Sequence, residues 1–296
     1  MASETVEEEK KGTSEPIKSD ASKEAQPVPD TSPKGTGCNK MKDKILFVTG
    51  ADSGIGKACA LLFAREGADV AIVYLDEDED ANDTKKKIED YGRKCLLIPG
   101  DLRQESFCKE AIGKAVKEFG RIDVLINNAG TQTEADSLED IKTENMIKTF
   151  ETNIFSMFWI TKAALPHMAK GSSIINTTSV TAYKGNPKLI DYSATKGAIV
   201  TFTRSLSDNL AGKGIRVNAV APGPIWTPLI TASEPNKTMK EHGAGTPMGR
   251  GGQPYEVAPS YLFLACNEDS SYISGCLLYT SPSPRDTERS RMPSSA

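Results

Sequence analysis

Short apolar runs alternate with amphipathic segments of helical length through the middle of the chain. The runs are rich in Ile, Val and Leu and end in Gly, Asn or Ser, which predicts six β-strands, at residues 44–50, 69–75, 94–100, 122–130, 172–179 and 214–223. Their apolar residues are continuous, as is typical of strands buried on both faces. Between the third and fourth runs, residues 108–120 place apolar side chains at helical spacing, at positions 111, 112, 115, 116 and 119.

Strand and helix alternate through this whole region, and such repeats build parallel sheets through right-handed crossovers. We therefore predict an α/β fold, a single doubly wound parallel sheet of Rossmann type with helices on both faces, over residues 41–280. A chain of 296 residues is long enough for one such domain with a substantial core. Ligands of these sheets bind at the carboxyl ends of the strands, near the point where the strand order reverses.

The two ends of the chain differ from its middle. Residues 1–40 are mostly Glu, Lys, Ser, Pro and Thr, with too few apolar side chains to offset the entropy of ordering, so we predict a disordered tail. Residues 281–296 form a Ser/Pro/Arg string without periodicity and are predicted to be disordered too. Two explanations of this string stay open: a sequence artefact, with native residues ending near Gly275, or a natural tail.

The composition argues against several classes of function. With a net charge of −4 and a pI near 5.5, the chain has no electrostatic attraction for nucleic acid or membrane surfaces, and we expect neither partner. Six cysteines without C-x-x-C spacing and two histidines argue against a metal site or a disulfide framework, and we interpret His167 and His242 as structural. No apolar run approaches the roughly 18 residues of a membrane span, and a reduced, cytoplasmic location is expected.

A glycine-rich turn follows the first predicted strand and opens a helix. In this segment, TGADSGIG at 49–56, Gly50 makes the tight turn, Gly54 lets the backbone approach a pyrophosphate, and Gly56 lets the helix pack against the strand. The helix N-terminus that follows presents free N–H groups and a positive dipole end. The segment therefore predicts a site for the phosphates of a dinucleotide.

Tyr192 and Lys196 lie one helical turn apart in the segment DYSATKG. Taken alone, the pair is typical of a solvated helix face. A free tyrosine has a pKa of about 10 and is a poor base near neutral pH. An ammonium group one turn away favours the phenolate, so we expect Lys196 to lower the pKa of Tyr192 towards the working range.

Further motifs occur in a fixed order along the chain. They are the T-G-x-x-x-G-I-G turn, NNAG at 127–130, Asn153, Ser179, Tyr192 thirteen residues later, Lys196, and Pro222-Gly223 followed by Thr227. This series resembles the short-chain dehydrogenase/reductase family over about residues 41–275. The stretches TKAALPHM, INTTSVTAYKGNP and APGPIWTPL are most similar to its general-stress and glucose/ribitol dehydrogenase-like branch.

The resemblance implies an NAD(P)-dependent oxidoreductase that acts on a small aldehyde, ketone or sugar/polyol. Tyr192 is the implied acid/base, Lys196 tunes it and holds the nicotinamide ribose, and Ser179 stabilises the substrate oxygen. Asn153 holds a helix backbone open for a water in the proton relay. The implied cofactor-binding residues are Gly50, Ser53, Gly54, Ile55, Gly56, Tyr74, Asp101, Leu102, Asn127, Ala129, Gly130, Tyr192, Lys196, Pro222, Gly223, Ile225 and Thr227.

Cofactor choice depends on the end of the second predicted strand. An acid there pairs with the ribose hydroxyls of NAD(H) and repels the 2′-phosphate of NADP(H), but this chain has Tyr74. Ser53 supplies no cationic clasp for that phosphate, and Asp76 and Glu77 lie close by. We therefore expect both cofactors to be tolerated, with a modest preference for NADP(H).

Polar residues near the implied site are compatible with a hydroxylated substrate; they are Thr181, Lys184, Asn186 and Trp226. The family resemblance also implies a homo-oligomer, a tetramer, weakened if the segment CLLYTSPSPRD at 276–286 has replaced the last strand. Two competing hypotheses are a nucleotide-binding scaffold without turnover and a truncated inactive homologue. The presence of all four candidate catalytic residues argues against the scaffold.

Overall fold

The computed structural model describes residues 37–233, 238 and 241–280. Within them, seven strands form one sheet in the order β3-β2-β1-β4-β5-β6-β7, and every neighbouring pair is parallel. The strands are β1 (Ile45–Thr49), β2 (Asp69–Tyr74), β3 (Cys95–Pro99), β4 (Val124–Asn127), β5 (Ser173–Thr177), β6 (Arg216–Ala221) and β7 (Leu277–Tyr279). The structure confirms the predicted doubly wound parallel sheet.

Helices connect the strands and cover the sheet. They are α1 (Gly54–Arg65), α2 (Asp78–Glu89), α3 (Glu105–Phe119), α4 (Thr143–Phe150), α5 (Ser156–Ala164), α6 (Thr181–Lys184), α7 (Ile190–Ala211), α8 (Pro228–Ser233), α9 (Pro254–Ala265) and α10 (Asn267–Ser270). A π-helical turn, Glu151–Phe155, joins α4 to α5, and a 3₁₀ turn, Leu165–His167, follows α5.

The core has two layers because successive side chains of a strand point to opposite faces. In β1, Leu46 and Val48 pack on the face that α1, α2 and α9 cover, and Phe47 packs on the face of α3, α5 and α7. All three are fully buried, and burying each contributes about 1.5–3 kcal/mol. The continuous apolar runs therefore reflect helices on both faces, as expected.

The strand order reverses between β1 and β4, which pair with each other in the middle of the sheet. The connections leave these strands in opposite directions, so a crevice opens above their carboxyl ends. Both chemical motifs reach this edge: the glycine turn follows β1, and the segment NNAG ends β4. The fold therefore brings together residues that are about 80 positions apart in the chain.

The seventh strand, β7, was not among the six strands predicted from the apolar runs. Leu277–Tyr279 pair with Ala219–Ala221 of β6, immediately after Gly275. A strand of three residues at the sheet edge is too short for a periodicity signal. Residues 277–279 thus form the last strand of the described sheet; the hypothesis that the segment from residue 276 onwards is a replacement stays a prediction, and residues 281–296 lie outside the described residues.

Residues 1–36 of the predicted N-terminal tail also lie outside the described part of the chain. Among the helices that the structure describes, none combines the length and the apolar character that crossing a membrane requires. Within the same residues, no group of three or more His, Cys, Asp or Glu side chains is placed to hold a metal ion.

Candidate active site

A cavity of about 590 Å³ opens at the carboxyl edge of the sheet. Its walls are the turns after β1 to β6 together with α6, α8 and the start of α7. Sixteen of the predicted site residues line it: Gly50, Ser53, Gly54, Ile55, Tyr74, Asp101, Leu102, Ala129, Gly130, Ser179, Tyr192, Lys196, Pro222, Gly223, Ile225 and Thr227. The motifs identified along the chain thus line one cavity.

The glycine turn after β1 is built from backbone that side chains would obstruct. Gly50 and Gly54 have φ values of 64° and 55°, in the left-handed region that favours glycine. A Cβ on Gly56 would lie 2.0 Å from the carbonyl oxygen of Gly50. The N-terminus of α1 therefore faces the cavity without side-chain cover, as a phosphate site requires.

The end of β4 is tied to the end of β1 by hydrogen bonds. Thr49 Oγ1 accepts the backbone N–H groups of Asn128 and Ala129, both at 3.0 Å. Asn128 Nδ2 donates to the carbonyl oxygen of Gly50 at 3.0 Å. The two turns on either side of the strand-order reversal are therefore held as one rigid floor.

Asn127, predicted to contact the cofactor, does not line the cavity. Its side chain is 1% exposed and lies inside the protein, where Nδ2 donates to Asn176 Oδ1 at 2.9 Å and to Thr161 Oγ1 at 3.2 Å. The neighbouring Asn128 reaches the cavity instead. Strand alternation explains the difference, because successive side chains at a strand end point in opposite directions.

Asn153 lies beneath the site, in the π-helical turn between α4 and α5. It is fully buried; its Oδ1 accepts the N–H of Thr131 at 2.7 Å, and its Nδ2 donates to the carbonyl oxygen of Thr131 at 2.9 Å and to Thr195 Oγ1 at 3.1 Å. The side chain therefore joins the turn after β4 to α7. A π-helical turn widens the backbone at this point and is frequent at functional sites.

Tyr192 and Lys196 lie on the first two turns of α7 and face the cavity floor. Lys196 is 2% exposed, its Nζ donates to the carbonyl oxygen of Thr177 at 3.0 Å, and it lies 5.3 Å from the centre of the Tyr192 ring. A Cβ on Gly130 would lie 3.5 Å from the same Nζ. The pair is therefore part of the site and not a solvated helix face.

Ser179 follows β5 and is 7% exposed. Its Oγ accepts the backbone N–H and the hydroxyl of Thr181, both at 3.1 Å. Because these two bonds use Ser179 as an acceptor, its own proton is available for donation. Interaction with the Ser179 hydroxyl lowers the pKa of the Tyr192 phenol.

Burial changes the proton affinities of the pair. It raises the pKa of Tyr192 to about 12, and the opposing effect of Ser179 is smaller. It also lowers the pKa of Lys196 to about 8. The expected depression of the Tyr192 pKa is therefore absent from this structure, because desolvation of the phenolate outweighs the hydrogen bond with Ser179; the phenol holds its proton at neutral pH.

The end of the cavity beside β2 and β3 carries charges of both signs. Tyr74 Oη donates to Asp78 Oδ1 at 2.6 Å, and burial raises the Tyr74 pKa to about 12. Burial and the neighbouring carboxylates Asp52 and Asp76 raise the pKa of Glu77, which lines the cavity.

At the same end, after β3, Arg103 Nη2 donates to Asp101 Oδ2 at 2.6 Å, and this pairing lowers the pKa of Asp101. The sequence analysis did not include Arg103 or Asp52 among the site residues. The segment DLR at 101–103 carried the signal for Arg103, directly after the predicted Asp101 and Leu102.

The opposite end of the cavity is formed by side chains from short elements. Thr181, Lys184 and Asn186 line it, as expected, whereas Trp226 lies behind the wall, 3% exposed and 5.7 Å from the ring of His242. Further lining residues were not predicted from the sequence; they include Gln132, Leu229, Ile230 and His242. Gln132 and His242 lie in loops, and Leu229 and Ile230 lie in a helix of six residues, so none of them belongs to a pattern long enough to predict its position.

A family model described as enoyl-(acyl carrier protein) reductase matches residues 50–281. Among curated proteins, the Bacillus subtilis uncharacterized oxidoreductase YhxC is 60% identical over 80% of this chain and 82% of its own. The chloroplastic NADPH-dependent aldehyde reductase 1 of Arabidopsis thaliana is 53% identical, over 81% of this chain and 86% of its own. The glucose and ribitol dehydrogenase of Daucus carota is 51% identical, over 84% of this chain and 87% of its own.

Solved structures share the fold across the described core. A short-chain dehydrogenase from Burkholderia cenocepacia in complex with NADP superposes with a TM-score of 0.76 at 29% identity, covering 81% of this chain and 97% of that one. A 3-ketoacyl-(acyl-carrier-protein) reductase from Brucella melitensis complexed with NADH gives 0.75 at 30%, covering 81% and 98%. With its glycine turn, its strand order and these similarities, the chain belongs to the short-chain dehydrogenase/reductase family of NAD(P)-dependent oxidoreductases.

Proposed function

We propose that the protein reduces small aldehydes, ketones or sugars, and oxidises the corresponding alcohols, with Tyr192 as the acid/base. The observation that carries the proposal is the convergence of Ser179, Tyr192 and Lys196 on the cavity that the glycine turn opens. The relatives named as an aldehyde reductase and as a glucose and ribitol dehydrogenase support the substrate range.

The cavity fits a nicotinamide dinucleotide. Its phosphates fit the glycine turn, where a Cβ on Gly54 would lie 3.4 Å from Thr227 Cγ2, so the turns after β1 and β6 approach each other there. When bound, the nicotinamide supplies or accepts a hydride. Lys196 would hold the nicotinamide ribose beside Gly130, and the backbone near Pro222 and Thr227 would hold the carboxamide.

Tyr192 is protonated at neutral pH, so it can donate its proton to a substrate oxygen as negative charge develops there. Lys196 carries a positive charge below pH 8 and stabilises the phenolate that remains. The Ser179 proton stabilises the same substrate oxygen. In the opposite direction, the phenolate accepts the proton of the alcohol.

Asn153 acts as a positioning residue for this chemistry. Its three hydrogen bonds fix the turn after β4 against α7, which carries Tyr192 and Lys196. The π-helical turn around it leaves backbone carbonyl groups free to hold a water, through which the Tyr192 proton is replaced from solvent.

We propose that the enzyme uses both cofactors, with a modest preference for NADP(H). Tyr74 replaces the acid that repels a 2′-phosphate, and the raised pKa of Glu77 weakens the repulsion that remains. Arg103 adds a cation to the same end of the cavity as Tyr74 and Glu77, although Asp101 pairs with it. The NADPH dependence named for the Arabidopsis relative favours the same direction.

We propose further that the enzyme is a homo-oligomer; the cytoplasmic location stays a prediction. Two aromatic side chains on one stretch of helix support the assembly, since Phe155 is 45% and Phe158 51% exposed. Phe158 packs on Phe202 of α7 with ring centres 4.3 Å apart, so the apolar surface extends from α5 to α7. Light scattering should give a mass of at least twice 31.9 kDa.

The test of the activity is consumption of NADPH or NADH, followed by absorbance, across aldehydes, ketones and sugars. We expect turnover with at least one small aldehyde, and reduction of NADP⁺ or NAD⁺ with the corresponding alcohol. Tight binding of the dinucleotide without turnover of any carbonyl or alcohol would overturn the proposal and identify a nucleotide-binding scaffold.

A further inference from the structure

Gln132 connects two separate walls of the cavity. The residue follows β4, its side chain is 8% exposed, and its Nε2 donates to Ser233 Oγ at 2.8 Å. Ser233 ends α8, which also places Leu229 and Ile230 on the cavity. A buried amide group thus attaches a short helix to the rigid floor of the site.

The orientation of this amide follows from its partner. Ser233 Oγ donates its own proton to the carbonyl oxygen of Leu229 at 2.8 Å, so it can only accept from Gln132. The NH₂ group of Gln132 must therefore face Ser233, which turns its carbonyl oxygen away. Among the residues that the structure describes, no side chain or backbone N–H donates to that oxygen, and it is open to the cavity that the side chain lines.

The loop that carries Gln132 lies next to the reacting groups. Gly130, two residues earlier, approaches Lys196, and the N–H of Ala135, three residues later, donates to the carbonyl oxygen of Lys188 at 3.0 Å. Lys188 precedes Tyr192 by four residues. The unpaired oxygen of Gln132 therefore lies at the substrate end, between the wall of α8 and the start of α7.

We propose that Gln132 determines substrate specificity: its carbonyl oxygen accepts a hydrogen bond from a hydroxyl group close to the reacting carbonyl, while its NH₂ group holds α8 in place. The inference rests on the proposed function and narrows its substrate class to hydroxyaldehydes and sugars. A plain aldehyde would displace water from this oxygen without supplying a donor, and a site that pairs with a hydroxyl discriminates against analogues that lack it.

The remaining polar side chains at this end agree with that class. Thr181 and Asn186 line the cavity near Ser179, and Lys184 ends α6 beside them. Leu229 and Ile230 close the opposite side with apolar surface. A substrate with hydroxyl groups along one side and carbon along the other fits both walls.

The experiment compares two aldehydes of equal chain length, D-glyceraldehyde and propanal. In the unaltered chain, kcat/KM with NADPH should be higher for D-glyceraldehyde by about tenfold or more, the effect of one hydrogen bond to a buried group. Gln132→Met should bring the two values together, chiefly by lowering the value for D-glyceraldehyde.

Two variants separate recognition from support of α8. Ser233→Ala removes the partner of the NH₂ group and should leave the ratio between the aldehydes unchanged, even where KM rises for both. Gln132→Glu keeps an acceptor oxygen but cannot donate to Ser233, so it too should retain the ratio. A ratio that survives in Gln132→Met, or falls equally in Ser233→Ala, would overturn the assignment.

A measurement without turnover keeps the two proposals distinguishable. With NADP⁺ bound, D-glyceraldehyde should raise the melting temperature of the protein more than propanal does, and Gln132→Met should remove the difference. If no carbonyl is turned over but this difference is observed, the proposed activity fails and the role of Gln132 stands. If turnover occurs but the difference is absent in both measurements, the role of Gln132 fails alone.

Discussion

The two ends of the cavity differ in which parts of the chain form their surface. At the end proposed for the dinucleotide, backbone groups and glycines form the surface, and hydrogen bonds such as that from Asn128 Nδ2 to the Gly50 carbonyl oxygen fix them to central strands. At the substrate end, side chains on the short helices α6 and α8 form the surface. One end therefore tolerates little change, whereas the other can change its specificity without disturbing the sheet.

Removing the Tyr192 hydroxyl should produce the largest effect of the substitutions considered. The loss should appear in kcat and not in cofactor affinity. We expect Tyr192→Phe to lower kcat by about a hundredfold to ten-thousandfold, because proton transfer by a positioned group contributes about that much. The dissociation constant of NADPH, measured by fluorescence titration, should stay within about twofold. Near-normal turnover would refute the assignment of Tyr192, and a large loss of affinity would show that the two ends are not independent.

Adding a single methyl group to the glycine turn should be enough to disrupt NADPH binding. In Gly56→Ala the new Cβ would lie 2.0 Å from the Gly50 carbonyl oxygen, so the turn must move. We expect NADPH affinity to fall by about a hundredfold or more, as calorimetry would measure.

Gly113→Ala provides the matched control for that substitution. Gly113 lies inside α3, and a Cβ added to it would meet no atom within 4 Å, so alanine should bind NADPH normally and stabilise the fold by about 0.4–1 kcal/mol. Equal NADPH affinities in the two variants would contradict the role of the glycine turn.

Lys196 lies where the two ends meet, and its pKa sets a pH limit. The ammonium is needed beside the phenolate, and burial lowers its pKa to about 8, so the charge is present below that pH and is lost above it. The rate of carbonyl reduction should therefore be level below pH 8 and fall by up to tenfold per pH unit above it. A rate profile that is flat to pH 10 would exclude this role.

The same shift has a consequence for stability. Because the unfolded chain binds a proton on Lys196 up to its ordinary pKa of 10.5 and the folded chain does not, the contribution of this residue to stability rises with pH between about 8 and 10.5. Lys196→Met should remove that rise, and denaturant titrations at pH 7 and pH 10 would measure it. An unchanged pH dependence in the variant would contradict the lowered pKa.

Cofactor choice should show the smallest effect. We expect kcat/KM to favour NADPH over NADH by about tenfold or less, or about 1.4 kcal/mol, because Tyr74 removes one repulsion while the cation Arg103 is paired with Asp101. Glu77→Gln should increase that ratio a few-fold. A hundredfold preference for NADH would show that Asp76 or Glu77 pairs with the ribose.

Local signals were sufficient to predict that the glycine turn, Ser179, Tyr192 and Lys196 lie around one cavity. Six of the seven described strands carry continuous apolar runs. The glycines of 50–56 are needed for the backbone conformation of the turn, and their spacing indicates that turn. The strand that was missed, β7, has three residues and little apolar pattern. Local sequence thus identifies elements that are long or stereochemically special.

The other differences arise from tertiary structure. Sequence alone could not show that Asn127 points into the sheet and Asn128 into the cavity, since that depends on where β4 ends. Nor could the spacing of Tyr192 and Lys196 reveal how deeply both are buried, which reverses the expected direction of the phenol pKa. Gln132 meets Ser233 across 101 residues, and no local pattern encodes that contact.

Residues 279 and 280 support parts of the site that are synthesised well before them. The N–H of Gly223 donates to Thr280 Oγ1 at 3.1 Å, and the ring of Tyr279 lies 4.8 Å from that of Tyr183 in α6. The turn after β6 and the helix after Ser179 therefore acquire their final supports from residues that leave the ribosome more than fifty codons later. A nascent chain halted before β7 would contain every residue proposed for catalysis and still lack part of the frame that holds them.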